Sequence, residues 1–319
     1  MLYPTDRFAT ERIFSAICYG FTLNHARCIE DHDYLRQFVH TVTQIPNLEV
    51  GKIEYLADYR PNVRVVNTFQ QGRVFIAGDA AHVHPISGGQ GMNSSVMDAF
   101  NLGWKLALAA KGQASASLLD SYTAERLPVI KEMLQHTTAV ARHGFDKLGV
   151  HYRWSPIVVD EDLAGSSSSK QAAEEIVSTY VVKEGDRLHA GDRAHDAVGL
   201  VDIRSGETKR LFDLFRPTHH TVLIFSHSGE DATPIVQLLG QYPTGSIYSA
   251  VIFGLVFLAT AEVQGADASL VDERGHAYAT YGAQTGTTSV AIVRPDGVVG
   301  ALVKGSEGVE RYFSLVFAS

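Results

Sequence analysis

The residues best suited to chemistry lie in one segment, residues 72–112, which reads GRVFIAGDAAHVHPISGGQGMNSSVMDAFNLGWKLALAAKG. The apolar run Val74–Ala77 predicts a short buried strand. Asp79 follows that strand directly, at the end where ligands often bind in α/β sheets. The next loop carries glycines that let the backbone approach a ligand closely, at Gly88, Gly89 and Gly91. A helix is predicted to begin near Met92 and Asn93.

A ligand of this site must suit both a carboxylate and the start of a helix. The first N–H groups of a helix have no partner within it and carry partial positive charge, so they stabilise negative charge nearby. The Asp79 carboxylate would repel a phosphate but accepts hydrogen bonds from hydroxyl groups. A flavin has hydroxyls on its ribityl chain and negative charge on its reduced ring. The pattern therefore permits a flavin but does not require one.

A second interpretation of the same segment is a metal site. His82 and His84 would share one face of a strand, and Asp79 would supply a third ligand for a metal-dependent hydrolase. Pro85 and the glycine loop follow at once, which favours a hydrogen-bonded turn histidine at position 82. We therefore predict no metal.

The elements that position this segment divide the chain into three regions. Within residues 12–76 the sequence predicts several short strands, HARCIE (residues 25–30) among them, and a helix over residues 33–42. A helix over residues 93–111 follows, and its buried face is predicted to hold Val96, Met97, Phe100, Trp104 and Leu108. A second helix starts near Ser117, and Pro128 is expected to end or kink it.

The last region predicts a smaller α/β domain. It follows an irregular stretch over residues 144–191 that contains a run of glycine and serine. Strands are predicted at residues 221–225, 249–257, 289–293 and 298–303. Helices are predicted at residues 233–239 and 308–317. This alternation of strand and helix is typical of a sheet covered by helices.

Composition excludes several classes of function. The chain has 319 residues, room for about two domains, and 45% of them are hydrophobic, so it can bury real cores. A net charge of -8 gives no attraction for nucleic acid or an anionic membrane. The apolar stretch at residues 247–263 falls short of the ~20 residues of a membrane helix and is rich in strand-forming side chains. Cys18 and Cys28 fit a reducing compartment, so a cytoplasmic protein is expected.

Residues 72–107 resemble the second flavin-binding motif of the class A flavoprotein aromatic monooxygenases, nearest the phenol hydroxylase branch. Residues 118–128 resemble the helix that follows in that family, and residues 59–69 resemble the strand that leads in from the substrate domain. Residues 191–194, 211–214 and 293–297 resemble its thioredoxin-like C-terminal domain, which usually lacks a redox pair, as CxxC is lacking here.

The resemblance implies a mixed α/β (α+β) fold, a partial flavin-monooxygenase fold followed by a thioredoxin-like domain. The expected domains are a partial FAD-binding and substrate domain over residues 1–145, a connector over residues 146–190, and the thioredoxin-like domain over residues 191–319. No GxGxxG motif occurs in the chain, although the family uses one to bind the ADP half of FAD. The chain therefore resembles the C-terminal half of such an enzyme.

The resemblance also assigns roles to residues. Asp79 would bind the ribityl chain, and the stretch formed by Gly88, Gly89, Gln90 and Gly91 would pass close to the isoalloxazine. The amides of Met92 and Asn93 would face the N1–C2 carbonyl edge of the ring. Backbone carbonyls near the carbon that reacts with oxygen would come from Pro85 and from Ile86, which stands where the family often has a second proline. Tyr59 and Arg64 would reach the flavin or the substrate, or would instead form structural pairs.

The implied function is hydroxylation of a phenolic or aromatic, polyketide-like substrate, with FAD as cofactor and NAD(P)H and O2 as co-substrates. The alternative is a non-catalytic truncated homologue, or one half of a two-chain enzyme. Because the ADP-binding unit is missing from the sequence, we expect weak binding of FAD by this chain alone and an exposed apolar face. That face would be covered in a homodimer or by a partner resembling the N-terminal half.

Overall fold

The computed structural model describes residues 2–17, 23–45, 48–57, 62–84, 90–140, 150–164, 187–254 and 262–318. Its backbone divides into two compact units, Met1–Pro61 and Asn62–Ser319. The division into residues 1–145, 146–190 and 191–319 stays a prediction. Within the described ranges, no helix is long and apolar enough to cross a membrane.

The first unit combines a short hairpin with helices. Strand β1 (Leu2–Pro4) pairs antiparallel with β2 (Phe14–Ala16), and α1 (Phe8–Glu11) connects them. Two consecutive helices follow, α2 (His25–Glu30) and α3 (His32–Thr43). The helix predicted over residues 33–42 is thus confirmed, but the strand predicted for HARCIE is wrong. The side chain of Asn24 accepts a hydrogen bond from the Arg27 N–H and caps a helix there instead.

The second unit begins with short paired strands and two long helices. The strands are β3 (Arg64–Val65), β4 (Gln70–Gln71), β5 (Val74–Phe75) and β6 (His82–Val83). Strand β3 pairs with β6 and β4 pairs with β5, both antiparallel. A 3-10 turn, Gly78–Ala80, connects β5 to β6. The long helices are α4 (Gln90–Ala110) and α5 (Asp120–Val140).

Helix α4 buries only part of the apolar face that its sequence predicts. Trp104 and Leu108 are buried, as expected. Val96 and Phe100 are 47% and 55% exposed, so their predicted burial is wrong for this structure. Residues of one helix face share a direction, but among the described residues the C-terminal half of α4, with Trp104 and Leu108, is the part that packs against the sheet.

Helix α5 continues through Pro128, although the sequence predicted that the helix would end or kink there. A proline has no N–H for the carbonyl four residues earlier, here that of Ala124. The indole N–H of Trp154 donates to the Ala124 carbonyl at 2.9 Å and replaces the missing donor. The helix therefore keeps its hydrogen bonds satisfied at the position where the sequence alone predicts a break.

The main architectural element of the second unit is a mixed sheet of eight strands among the described residues, in the order β7-β14-β13-β10-β11-β12-β8-β9. Strands β10, β11 and β12 are parallel neighbours, and β7 runs parallel to β14. The strands are β7 (Val159–Asp160), β8 (Val198–Asp202), β9 (Thr208–Arg210), β10 (His220–Ser226), β11 (Ile247–Gly254), β12 (Ala268–Asp272), β13 (Ser289–Val293) and β14 (Val299–Val303).

The strands predicted near residues 221, 249, 289 and 298 are confirmed, and residues 255–257 of the second lie outside the described residues. Helix α6 (Glu161–Ala164) follows β7, and the remaining helices are α7 (Gly229–Leu239), α8 (His276–Tyr281) and α9 (Gly305–Val316). Helices α7 and α9 cover one face of the sheet, and the C-terminal half of α4 packs there too. Helix α8 covers the opposite face. This arrangement of covered sheet and helices confirms the predicted mixed α/β class.

Candidate functional site

The turn that carries Asp79 is built tightly against the first half of α4. Gly78 has φ +59°, a conformation that side chains rarely adopt. A Cβ atom at Gly78 would lie 2.9 Å from the Ser95 hydroxyl oxygen, so the turn touches the second turn of the helix. Asp79 itself is exposed to solvent, so a ligand that binds beside the turn can reach its carboxylate.

The buried carboxylate of Asp98 on α4 holds this turn. Asp98 accepts hydrogen bonds from the Gly78 N–H at 3.0 Å, from His82 Nε2 at 2.8 Å and from Arg126 Nε at 2.7 Å. Burial alone would raise the pKa of Asp98, but the hydrogen bond from His82 and the charge of Arg126 lower it below its usual value. The carboxylate therefore stays ionised in the interior.

The start of α4 approaches His84, the residue that follows β6. A Cβ atom at Gly91 would lie 2.7 Å from Cε1 of the His84 ring, so a larger residue here would require the imidazole to move. Gln90 and Gly91 form the first turn of the helix with Met92 and Asn93, both exposed. Arg64 is exposed on β3 and pairs in register with Val83 of β6. Of the remaining predicted residues, Pro85, Ile86, Gly88, Gly89 and Tyr59 lie outside the described residues.

The structure thus packs the Asp79 turn against the beginning of α4, and it places Arg64 on the strand that pairs with β6, just after this turn. These features fit the donor and acceptor set of a flavin: an exposed acceptor for hydroxyl groups and a helix start for a ring that gains negative charge. Gly78 permits the close approach of the turn to Ser95, and Gly91 permits the close approach of the helix start to His84. In the part of the chain that the structure describes, no group of three His, Cys, Asp or Glu side chains is placed to hold a metal ion.

A second buried charge cluster escaped the sequence analysis. Glu125 on α5 accepts hydrogen bonds from Arg294 at 2.7 and 3.0 Å and from Lys105 on α4 at 2.9 Å. Asn101 and Ser155 also donate to Glu125, each at 2.5 Å. Arg294 in turn donates to the Asp296 carboxylate at 3.0 and 2.5 Å. The cluster ties both helices of the candidate site to the segment that joins β13 to β14.

Opposite charges keep this cluster ionised despite its burial. For Glu125, burial would raise the pKa, but Arg294 and Lys105 lower it well below its usual value. Burial lowers the pKa of Lys105 to about 8, and Glu125 offsets only part of that effect. In the sequence, this cluster is visible only as Lys105, a lysine in an otherwise apolar stretch of α4. Its partner Glu125 lies twenty residues further along the chain, and no local pattern links the two residues.

Comparisons with known proteins show which proteins this chain is similar to. Residues 1–137 match the model of the FAD binding domain family. A flavin-dependent monooxygenase of Mycobacteroides abscessus is 34% identical over 327 residues, which cover 98% of this chain and 55% of that protein. The pentachlorophenol 4-monooxygenase of Sphingobium chlorophenolicum is 38% identical over 173 residues, which cover 50% of this chain and 30% of that protein.

Solved structures show the same fold. The flavin-dependent monooxygenase PieE, in complex with FAD and substrate, superposes with a TM-score of 0.61 at 21% identity, over 95% of this chain and 56% of that one. Aklavinone-11 hydroxylase, in a ternary complex with FAD and aklavinone, gives 0.60 at 24% identity, over 90% and 50% of the two chains. The resemblance to flavoprotein aromatic monooxygenases is therefore confirmed. The chain spans about half the length of the relatives it matches.

Proposed function

We propose that this chain forms the flavin-ring part of an FAD-dependent monooxygenase that hydroxylates a phenolic or aromatic, polyketide-like substrate with NAD(P)H and O2. The observation that carries the proposal is the exposed Asp79 carboxylate on a turn that packs against the first half of α4. The family model and the relatives named as monooxygenases support it. The substrate class follows from relatives that act on chlorinated phenols and on aklavinone, according to their names.

Bound FAD would accept a hydride from the nicotinamide and activate O2 for transfer of one oxygen atom to the aromatic ring. The Asp79 carboxylate would accept hydrogen bonds from the ribityl hydroxyls. The amides of Met92 and Asn93 would donate to the N1–C2 carbonyl edge, where they stabilise the negative charge of the reduced ring. Gly88, Gly89, Gln90 and Gly91 would let the backbone pass close to the ring, with the carbonyls of Pro85 and Ile86 near its reacting carbon.

Substrate recognition would use Arg64 and Tyr59. Arg64 is exposed on β3 and offers a cation to a phenolate or an acidic group of the substrate. Tyr59 would stack on an aromatic ring. The thioredoxin-like assignment of residues 191–319 belongs to the same proposal, as does a cytoplasmic location, where NAD(P)H is available and the buried Cys28 thiol stays reduced.

Helix α4 carries an exposed apolar stripe. Met92, Val96 and Phe100 recur every four residues, so they share one face, and they are 76%, 47% and 55% exposed. Large apolar side chains grouped in this way mark an interaction surface. We propose that this face packs against a folded segment that binds the ADP half of FAD. That segment would resemble the part of the relatives that lies outside the region aligned with this chain. A homodimer through the same face is the alternative.

A flavin titration tests the proposal. The purified chain is titrated with FAD while flavin fluorescence and the visible spectrum are recorded, alongside Asp79→Ala and the control Glu273→Ala. The control removes one exposed carboxylate far from the site in sequence. We expect FAD binding by the parent chain, at least tenfold weaker binding by Asp79→Ala, and no change for Glu273→Ala. Absence of binding at high micromolar FAD would contradict binding by this chain alone and would favour the non-catalytic homologue or the two-chain enzyme.

A further inference from the structure

Asp98 contacts both ends of the turn that presents Asp79. Its Oδ2 accepts from the Gly78 N–H, the backbone group just before Asp79, and from Nε2 of His82, which opens β6 just after the turn. Asp98, His82 and Arg126 are all essentially inaccessible to solvent. Asp79 itself is exposed, so the two carboxylates have different surroundings and different tasks.

We infer that Asp98 is a positioning residue: it fixes the Gly78–Ala80 turn against α4 and so sets the place of the Asp79 carboxylate toward the flavin. The inference rests on the proposed function, since Asp79 is a flavin contact only there. Asp98 acts through Asp79 and the turn, and needs no contact with the cofactor.

The hydrogen bonds of His82 support this role. An ionised carboxylate can only accept, so His82 donates through Nε2. Its other ring nitrogen, Nδ1, is buried and has no hydrogen-bond partner among the residues described. Asp98 therefore supplies the polar contact that orients the ring, and through the ring it orients the start of β6.

Arg126 on α5 makes the anchor rigid. Its Nε donates to Asp98 Oδ1, and its Nη1 donates to the Tyr152 hydroxyl at 2.9 Å. All the polar groups aimed at Asp98 by the turn, β6 and α5 are donors, so the site is complementary to a carboxylate and not to an amide. Asp98→Asn would place an NH2 group against one of these donors and leave that donor unpaired.

The test is a double-mutant cycle in FAD affinity, measured for the parent chain, Asp98→Asn, Asp79→Ala and the double variant. The matched control is Asp272→Asn, which disturbs an equally buried carboxylate that accepts hydrogen bonds from the N–H groups of His276 and Tyr278, on the α8 side of the sheet. We expect Asp98→Asn to weaken FAD binding at least tenfold in the parent background and less than threefold in the Asp79→Ala background. Asp272→Asn should lose stability but keep the parent affinity. Asp98→Glu, which keeps the charge and moves it by one methylene, serves if the asparagine variant does not fold.

Hydrogen exchange of the peptide that contains residues 78–82 gives a second readout that needs no cofactor. We expect this peptide to exchange at least tenfold faster in Asp98→Asn than in Asp272→Asn. Parent affinity together with parent exchange would overturn the inference, as would an equal loss of affinity in both backgrounds. If the parent chain binds no FAD, the proposed function fails by itself, and the exchange rates alone decide whether Asp98 holds the turn.

Discussion

The buried Glu125–Arg294 pair allows a quantitative prediction about stability. Arg294→Met keeps much of the side-chain volume but removes the only cation that contacts both Glu125 and Asp296 by hydrogen bonds in the described residues. In the parent chain, the positive charges of Lys105 and Arg294 balance the negative charges of Glu125 and Asp296. In the variant, Lys105 alone faces two carboxylates, and Asp296 keeps only the indole N–H of Trp104 at 3.3 Å.

The expected loss is large because the charges left behind are buried. Removing one partner of a buried ion pair costs about 3–5 kcal/mol of the free energy of unfolding. A domain of ordinary stability has about 5–15 kcal/mol in total. We therefore expect Arg294→Met to lose about 3–5 kcal/mol. The double variant with Glu125→Gln should lose at least 1 kcal/mol less than the sum of the two single variants, on the order of measured coupling energies.

Urea unfolding followed by tryptophan fluorescence is the assay, since Trp104 lies against Arg294, whose Cζ is 5.3 Å from the indole ring centroid. Arg204→Met is the control because Arg204 pairs with Glu262 at 2.6 Å, but on the surface, with side chains 68% and 40% exposed. Such a pair is worth about 0–1 kcal/mol. If Arg294→Met costs no more than Arg204→Met, the argument from burial is refuted.

Two further predictions concern packing and pH. Trp154→Phe leaves the Ala124 carbonyl without its donor and should lower the free energy of unfolding by about 1–3 kcal/mol in the same assay. In the Pro128→Ala background, a helical N–H returns to that carbonyl, so Trp154→Phe should cost less there. Equal costs in both backgrounds would contradict the role given to Trp154 in α5. Burial, reinforced by the charge of Arg294, lowers the pKa of His220 to about 3. The folded state therefore binds the His220 proton more weakly than the unfolded state, and its contribution to stability, complete above about pH 6.5, is lost as the pH falls toward 3. The free energy of unfolding should therefore fall less steeply between pH 6.5 and 5 in His220→Phe than in the parent chain, by up to about 1.4 kcal/mol per pH unit. Urea titrations of both proteins at the two pH values measure this difference. The same pH dependence in both proteins would contradict the prediction.

Several features were accessible from the sequence because they depend on neighbours along the chain. The glycines around Asp79, the apolar strand before it and the helix after it are local patterns, and the structure confirms a strand at Val74–Phe75, the turn and α4. The predicted burial of that strand is wrong, since Val74 is 66% exposed. Strands such as β10 and β13 consist mainly of β-branched and apolar residues bounded by turns, a pattern that indicates a buried sheet. The resemblance to the monooxygenase family rested on the same local spacing.

Other features depended on partners that no local pattern names. Glu125 and Arg294 are 169 residues apart, and only the packing of α5 against the β13–β14 segment brings them together. Pro128 stays within a helix because Trp154 supplies a donor from a distant segment. The hydrophobic period of α4 showed which side chains share a face, but whether Phe100 is buried depends on what lies opposite. Periodicity along the chain thus determined the elements of this protein, while the tertiary structure alone decided which charges meet and which apolar side chains are covered, because burial and ion pairing are properties of neighbours in space.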